Sequence, residues 1–252
     1  MAINHEGSTG NPAASAQGTT SISVAYPTGV AAGRIALLFA AVKLNTASWS
    51  AVTGFDLIAE QAGGTGASAN DAGTTRLGVW KRILDGSEAG SVTVTNTGGV
   101  SSAGAMSIYS GGLDTFALDF VLGSDTAHGA NWSAACGSWP ATLLNGDMIV
   151  VANSTDTDTG QLISAQTITQ LGATFGTRTT RNQSKSTSGT DSGCYSFDAS
   201  VTGGSADAPT WTHTSSTSSC GATIMIRLRE VAAGSAPPYL RRDHALGALL
   251  QL

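Results

Sequence analysis

Groups able to do chemistry are few in this chain, and they stand far apart. Its four histidines are His5, His128, His213 and His244. His5 lies in a small, polar N-terminal stretch and His244 close to the C-terminal end. His128 sits in "DTAHGANW", which reads as a loop. His213 sits in "TWTHT", where a period of two puts it on the face of Trp211, as a residue of a surface strand. A serine hydrolase needs a hydroxyl held by a positioned base, and no G-x-S-x-G turn presents one.

Metal chemistry is sought in carboxylates, histidines and cysteines at ligand spacing. There is no H-E-x-x-H and no cysteine pair at zinc spacing. "STDTDTG" carries Asp156 and Asp158 two residues apart and ends on Gly160, a spacing that can offer hard oxygens to a calcium ion. The later glutamate of an EF-hand is missing, so the simpler expectation is a polar loop whose aspartates close turns. "SANDAG", with Asn70 and Asp71, reads the same way. Cys136, Cys194 and Cys220 are too few for a disulfide framework and are expected to be small buried apolar residues. Whether Cys194 and Cys220 pair stays open. No cofactor is called for.

Other chemistries leave weaker traces. Paired acids for glycoside cleavage would come from Asp56, Glu60, Asp85, Glu88, Asp114 and Asp119, most of which fall in turns. "GGTGASANDAG" has the glycines of a phosphate loop but neither its lysine nor a following helix. The five tryptophans are spread along the chain and read as core or rim packing. Exposed on a loop, Trp49 and Trp132 would instead be the candidate glycan contacts.

Composition sets the frame for these residues. Of 252 residues, 41% are hydrophobic but only 12% are charged, about half the usual share of roughly 25%. Gly, Ser, Thr and Ala fill the gap, which suits many short strands and tight corners. A net charge of −5 without clustered lysines or arginines argues against a nucleic-acid partner. No apolar run reaches the roughly 18 residues of a membrane span. The start "MAINHEGSTG" lacks a basic segment followed by an apolar one, so export through a signal peptide is not expected.

The pattern along the chain is that of strands. "TTSISVAYP" and "SVTVTNT" alternate polar and apolar residues, and "TTRLGVWKRIL" puts Leu77 and Val79 on one face with Trp80 opposite. "RIALLFAAV" is apolar throughout, as a central strand covered on both faces would be. The second half repeats the order. "GDMIVVANSTD" (Gly146 to Asp156) matches "GRIALLFAAVK" (Gly33 to Lys43), "CYSFDASVTGGS" matches "LGVWKRILDGS", "APTWTHT" matches "GSVTVTN", and "CGATIMIRLR" matches "AGAMSIYSG". In both halves a long polar loop is expected before the alternating strand, at 63–73 and within 176–193. The polar end of the second run is expected to reach a solvent loop.

An internal duplication follows. The expected fold is an all-β, antiparallel β-sandwich of two pseudo-repeats, as two sandwiched sheets or two tandem sandwiches. The expected divisions are an N-terminal arm over 1–18, repeats over 19–113 and 114–231, and a linker and C-terminal arm over 232–252. In the last, "VAAGSAPP" precedes "YLRRDHALGALLQL". Leu240, Leu246, Leu249 and Leu250 make an apolar stripe there that cannot bury itself alone, which marks it as a docking arm.

The string "GRIALLFAAVKLNTASWSAVTGFDLIAEQ", with "TTRLGVWKRILDGSEAGSVTVT" and "AMSIYSG" after it, resembles a group of tailed-phage and prophage virion proteins over roughly residues 30–112. The resemblance implies a jelly-roll or Ig-like sandwich on the virion surface or tail, and no catalytic residues. It implies a non-enzymatic structural protein of capsid-decoration or head-fibre type, assembled in the host cytoplasm. Its partners would be other copies of itself and other virion proteins. A tail or baseplate appendage, or a protein recognising a host-surface glycan, is the alternative.

Overall fold

The computed structural model describes residues 2–9, 16–69, 71–111, 118–157, 163–186 and 190–229. Among them there are strands and turns and no α-helix. The first half supplies β1 (Asn4–Thr9), β2 (Ala16–Gly18), β3 (Ser21–Ala25), β4 (Ile35–Lys43), β5 (Ser48–Trp49), β6 (Asp56–Ala69), β7 (Ala72–Ile83), β8 (Ser91–Thr97) and β9 (Ser102–Ser110). The second supplies β10 (Asp119–Cys136), β11 (Met148–Thr155), β12 (Ile163–Thr169), β13 (Thr179–Ser186), β14 (Ser192–Ser200) and β15 (Thr210–Leu228).

Each half builds a large and a small antiparallel sheet. In the first half the large sheet runs β1-β9-β4-β7-β6 and the small one β3-β8-β5. In the second the large sheet runs β10-β15-β11-β14-β13. The small sheet is made by the far ends of the same long strands: residues 131–135 of β10 and 210–215 of β15, with β12 alongside. Matched in sequence order, the strands pair in the same way in both halves. Two such facing antiparallel sheets, with the first strand at an edge of the large one and the last strand beside it, follow a jelly-roll order. The chain is an antiparallel β-sandwich fold written twice.

The apolar runs explain the centres. All nine residues of β4 are buried, because β7 and β9 flank it and both faces are covered. β11 lies likewise between β14 and β15. The turn before each is set by a glycine at positive φ, Gly33 (79°) and Gly146 (96°), a conformation that side chains disfavour. Gly33 N–H donates to Leu84 O at 2.8 Å and Gly146 N–H to Val201 O at 3.1 Å. Leu84 N–H and Val201 N–H reply to Arg34 O and Asp147 O, both at 2.8 Å. At the other end, Lys43 N–H donates to Ser101 O at 2.8 Å and Asp156 N–H to Cys220 O at 3.2 Å. Thus Lys43 and Asp156, like Ser101 and Cys220, hold equivalent places.

The two large sheets face each other and share one core. Leu37, Phe39, Leu77 and Val79 of the first pack with Val150, Ala152, Ile224 and Ile226 of the second. β6 lies against β10 and β15, and β13 against β1 and β9. Since β6 and β13 are equivalents, as are β1 and β10, the contact is self-complementary, as in a two-fold dimer. A second core, with Leu38, Trp80, Val94 and Met106, fills the first jelly roll. A third, with Trp132, Phe197, Trp211 and Met225, fills the second. Alternation in β7 places Leu77 and Val79 in the shared core and Trp80 in the first roll's own.

Four local expectations give way. Residues 4–9 and 16–18 of the supposed N-terminal arm pair with β9 and complete the first large sheet. The glycine-rich loop at 63–73 is mostly a hairpin, since β6 and β7 pair from Asp56↔Lys81 to Ala69↔Ala72. Thr179–Ser186 is the edge strand β13, so the second supposed loop supplies a strand too. His128, read as a loop residue, and Asp119, read as part of a connection, both lie on β10. Polar composition misled here because these strands close on backbone hydrogen bonds rather than on apolar side chains. The C-terminal arm, with Leu240, Leu246, Leu249 and Leu250, and also Asp114, Asp158 and His244, lie outside the described residues.

Candidate functional site

The polar end of the second run does not reach solvent. Asn153, Ser154, Thr155, Asp156 and Thr157 are all fully buried, because the β6–β7 hairpin of the other half covers them. Thr75 Oγ1 and Ser154 Oγ share a hydrogen bond of 2.7 Å across the seam, and Ala222 N–H donates to Ser154 Oγ at 3.1 Å. Thr157 Oγ1 donates to Asp71 Oδ1 at 2.5 Å. Glycines let the sheets approach. A Cβ on Gly63 would stand 2.0 Å from Gly221 O, and one on Gly221 would stand 1.9 Å from Ser154 O.

Within this seam three ligand-bearing side chains converge. Asp156, just past β11, accepts the Cys220 N–H at 3.0 Å through Oδ1 and the Cys220 thiol at 3.2 Å through Oδ2. His128 Nδ1 stands 3.6 Å from the same Oδ2. The sulfur, a carboxylate oxygen and a ring nitrogen lie within 4.8 Å of one another. Asp156 and Cys220 are buried, and the His128 side chain is 28% exposed and opens the cluster to solvent.

The electrostatics follow from burial. Desolvation raises the Asp156 carboxyl above its ordinary range, against the pull of the Cys220 amide and thiol and of the charges of His128 and Lys43. Desolvation, then the Asp156 carboxylate, pushes the Cys220 thiol up to about 12. Asp125, also raised by burial, accepts Ala127 N–H and Ser133 N–H, both at 2.7 Å, and so pins the bend of β10 that carries His128. Lys43 Nζ donates to Ala69 O at 2.5 Å.

This order of groups is not that of a nucleophile and its base. Asp156, not His128, receives the thiol's hydrogen bond, and a buried thiol held near 12 carries almost no thiolate at neutral pH. Cys136 and Cys194 are buried as well and stand at about 12, and all three cysteines are free, so Cys194 and Cys220 do not pair.

Most of the remaining candidates are engaged in packing or in ion pairs. His213 is 3% exposed, not a surface residue, and its ring is wedged 4.6 Å from Trp132 and 6.1 Å from Trp211. Burial takes its pKa down to about 4. Trp132 is 1% exposed and packs in the second roll's core, so its ring offers no face to a sugar. Trp49 is partly buried and meets Trp80 edge-on at 5.7 Å. Glu60 is tied to Arg76 at 2.7 Å and Glu88 to Arg82 at 3.0 Å. Asp119 joins Arg227 at 3.1 Å, and Asp147 joins the same buried guanidinium at 2.6 Å. A surface hollow of about 620 Å³ between Gln166, Phe175 and Arg178 is held by backbone carbonyls on the arginine.

Sequence reading singled out Asp156 alone of the three converging residues as a ligand. His128 and Cys220 lie in other strands, and only the match of the two repeats could have placed Cys220 beside Asp156. Fold and site together define a doubled jelly roll with a polar, cysteine-containing seam. Compared with protein-family models, curated proteins and solved structures, the chain matches none of them.

Proposed function

We propose that the chain is a non-enzymatic structural protein of a bacteriophage particle, packing on the particle surface as a decoration or head-fibre component. The observation that carries the reading is the pair of equivalent jelly rolls joined through their large sheets. Joined so, each roll hides its broad sheet and turns its small sheet outward, which makes a rigid module with two similar outer faces. Symmetric modules of this kind suit repeated packing on a lattice, and jelly rolls recur in viral coats and in lectins. Fold alone does not specify function. The resemblance over residues 30–112 adds the particle, and the stripe of Leu240, Leu246, Leu249 and Leu250 adds a docking contact to a neighbouring copy or another virion protein.

Immunogold electron microscopy tests this. Antibodies to the full chain should label heads of particles purified from lysates of cells that express the gene. Label on tails alone would support the appendage reading, and label on no particle would overturn the proposal.

A further inference from the structure

We infer that Asp156, Cys220 and His128 form a binding site for a zinc-like divalent metal ion, buried in the seam beneath the first half's β6–β7 hairpin. A tetrahedral zinc ion with thiolate, carboxylate and imidazole ligands spaces their donor atoms about 3.4–3.6 Å apart. The site's Oδ2 to Sγ distance of 3.2 Å and Oδ2 to Nδ1 distance of 3.6 Å lie about that range, and the third edge, from sulfur to the ring, is within 4.8 Å, so the partly exposed His128 ring would close on the ion. The donor set decides the class of ion. Sulfur and imidazole favour zinc or cobalt over calcium or magnesium, which seek oxygen alone.

Asp125 fixes the backbone on both sides of His128, the orienting role that outer residues play at metal sites. His128 keeps an open side, which gives the ion a way in and a water its fourth position. On binding, the Cys220 S–H bond breaks, sulfur bonds to the metal, and one proton passes to solvent. The ion would tie β10, where its pairing with β15 is interrupted by register shifts, to β15 and to the residue just past β11.

The test is a titration of the full chain with Co²⁺, read by absorbance, and with Zn²⁺, read by calorimetry. One ion per chain is expected, with a thiolate-to-cobalt charge-transfer band, proton release, and tighter binding as pH rises. Cys220→Ser should remove the band, while Cys136→Ser keeps it. His128→Ala, a change at a partly exposed residue that leaves the fold intact by circular dichroism, should weaken binding at least about tenfold. Absence of the band, its survival in Cys220→Ser, or unchanged affinity in His128→Ala overturns the site.

Discussion

Lys43 and Asp156 are the same position of two repeats, and they carry opposite charges. Each ends a central run begun by a positive-φ glycine, each donates its amide to the equivalent strand, and each is fully buried. The Lys43 charge acts on the Asp156 carboxyl across the seam. A duplicated scaffold has thus acquired a complementary pair where two identical halves would have set like charges together.

That pair should be energetically coupled. Lys43 is the smallest of the influences on the Asp156 carboxyl, after Cys220 and His128, so the loss from Lys43→Met comes chiefly from the buried amine's own hydrogen bond to Ala69 O. Lys43→Met should lower stability by about 1–3 kcal/mol in urea unfolding. The double variant Lys43→Met with Asp156→Asn should show a coupling of about 0.5 kcal/mol or more in a double-mutant cycle.

Close approach of the two sheets rests on Gly221. Its added Cβ would lie 1.9 Å from Ser154 O, on backbone that cannot swing aside. Gly221→Ala should lower stability by about 1–3 kcal/mol or more. Gly137→Ala, with no atom within 4 Å of the new methyl, should change it by under ~1 kcal/mol. Thermal unfolding of the two variants separates these outcomes.

His213 should make the protein acid-sensitive. Its folded pKa, about 4, lies below the ordinary 6.5, so between those values the unfolded chain binds the proton more readily. The contribution of neutral His213 is therefore whole above pH 6.5 and is lost as pH falls toward 4, to a total of about 3 kcal/mol. His5 is shifted the same way. The raised carboxyls Asp125 and Asp156 act in the opposite sense, because unfolding lets them ionise more readily above their ordinary range near 3.8. Urea unfolding across this range should lose stability toward acid, and His213→Phe should flatten the loss.

Much of this architecture was legible in the chain. Alternation located β3, β7 and β8, the unbroken apolar runs located β4 and β11, and their repetition announced the doubled fold. What escaped notice was the polar material. Gly63–Ala69 and Thr179–Ser186 carry few apolar side chains, yet backbone pairing makes them strands. "NSTD" looked solvated because local pattern cannot register that the opposite repeat's hairpin covers it. The Cys220–Asp156–His128 cluster was hidden for the same reason, since residues from three strands meet only after the sheet has formed.

Removal of residues 234–252 addresses the docking arm. The truncated chain should unfold at the same temperature as the full one, and it should no longer join its assembly. Normal incorporation of the truncated chain would remove Leu240, Leu246, Leu249 and Leu250 from the contact.

The most direct check on a particle-surface role is to band lysate particles in a density gradient and quantify the chain by mass spectrometry. The account predicts that the chain travels with the particles in fixed ratio to the major coat protein. Recovery of all of it in the soluble fraction at the top of the gradient would contradict that role.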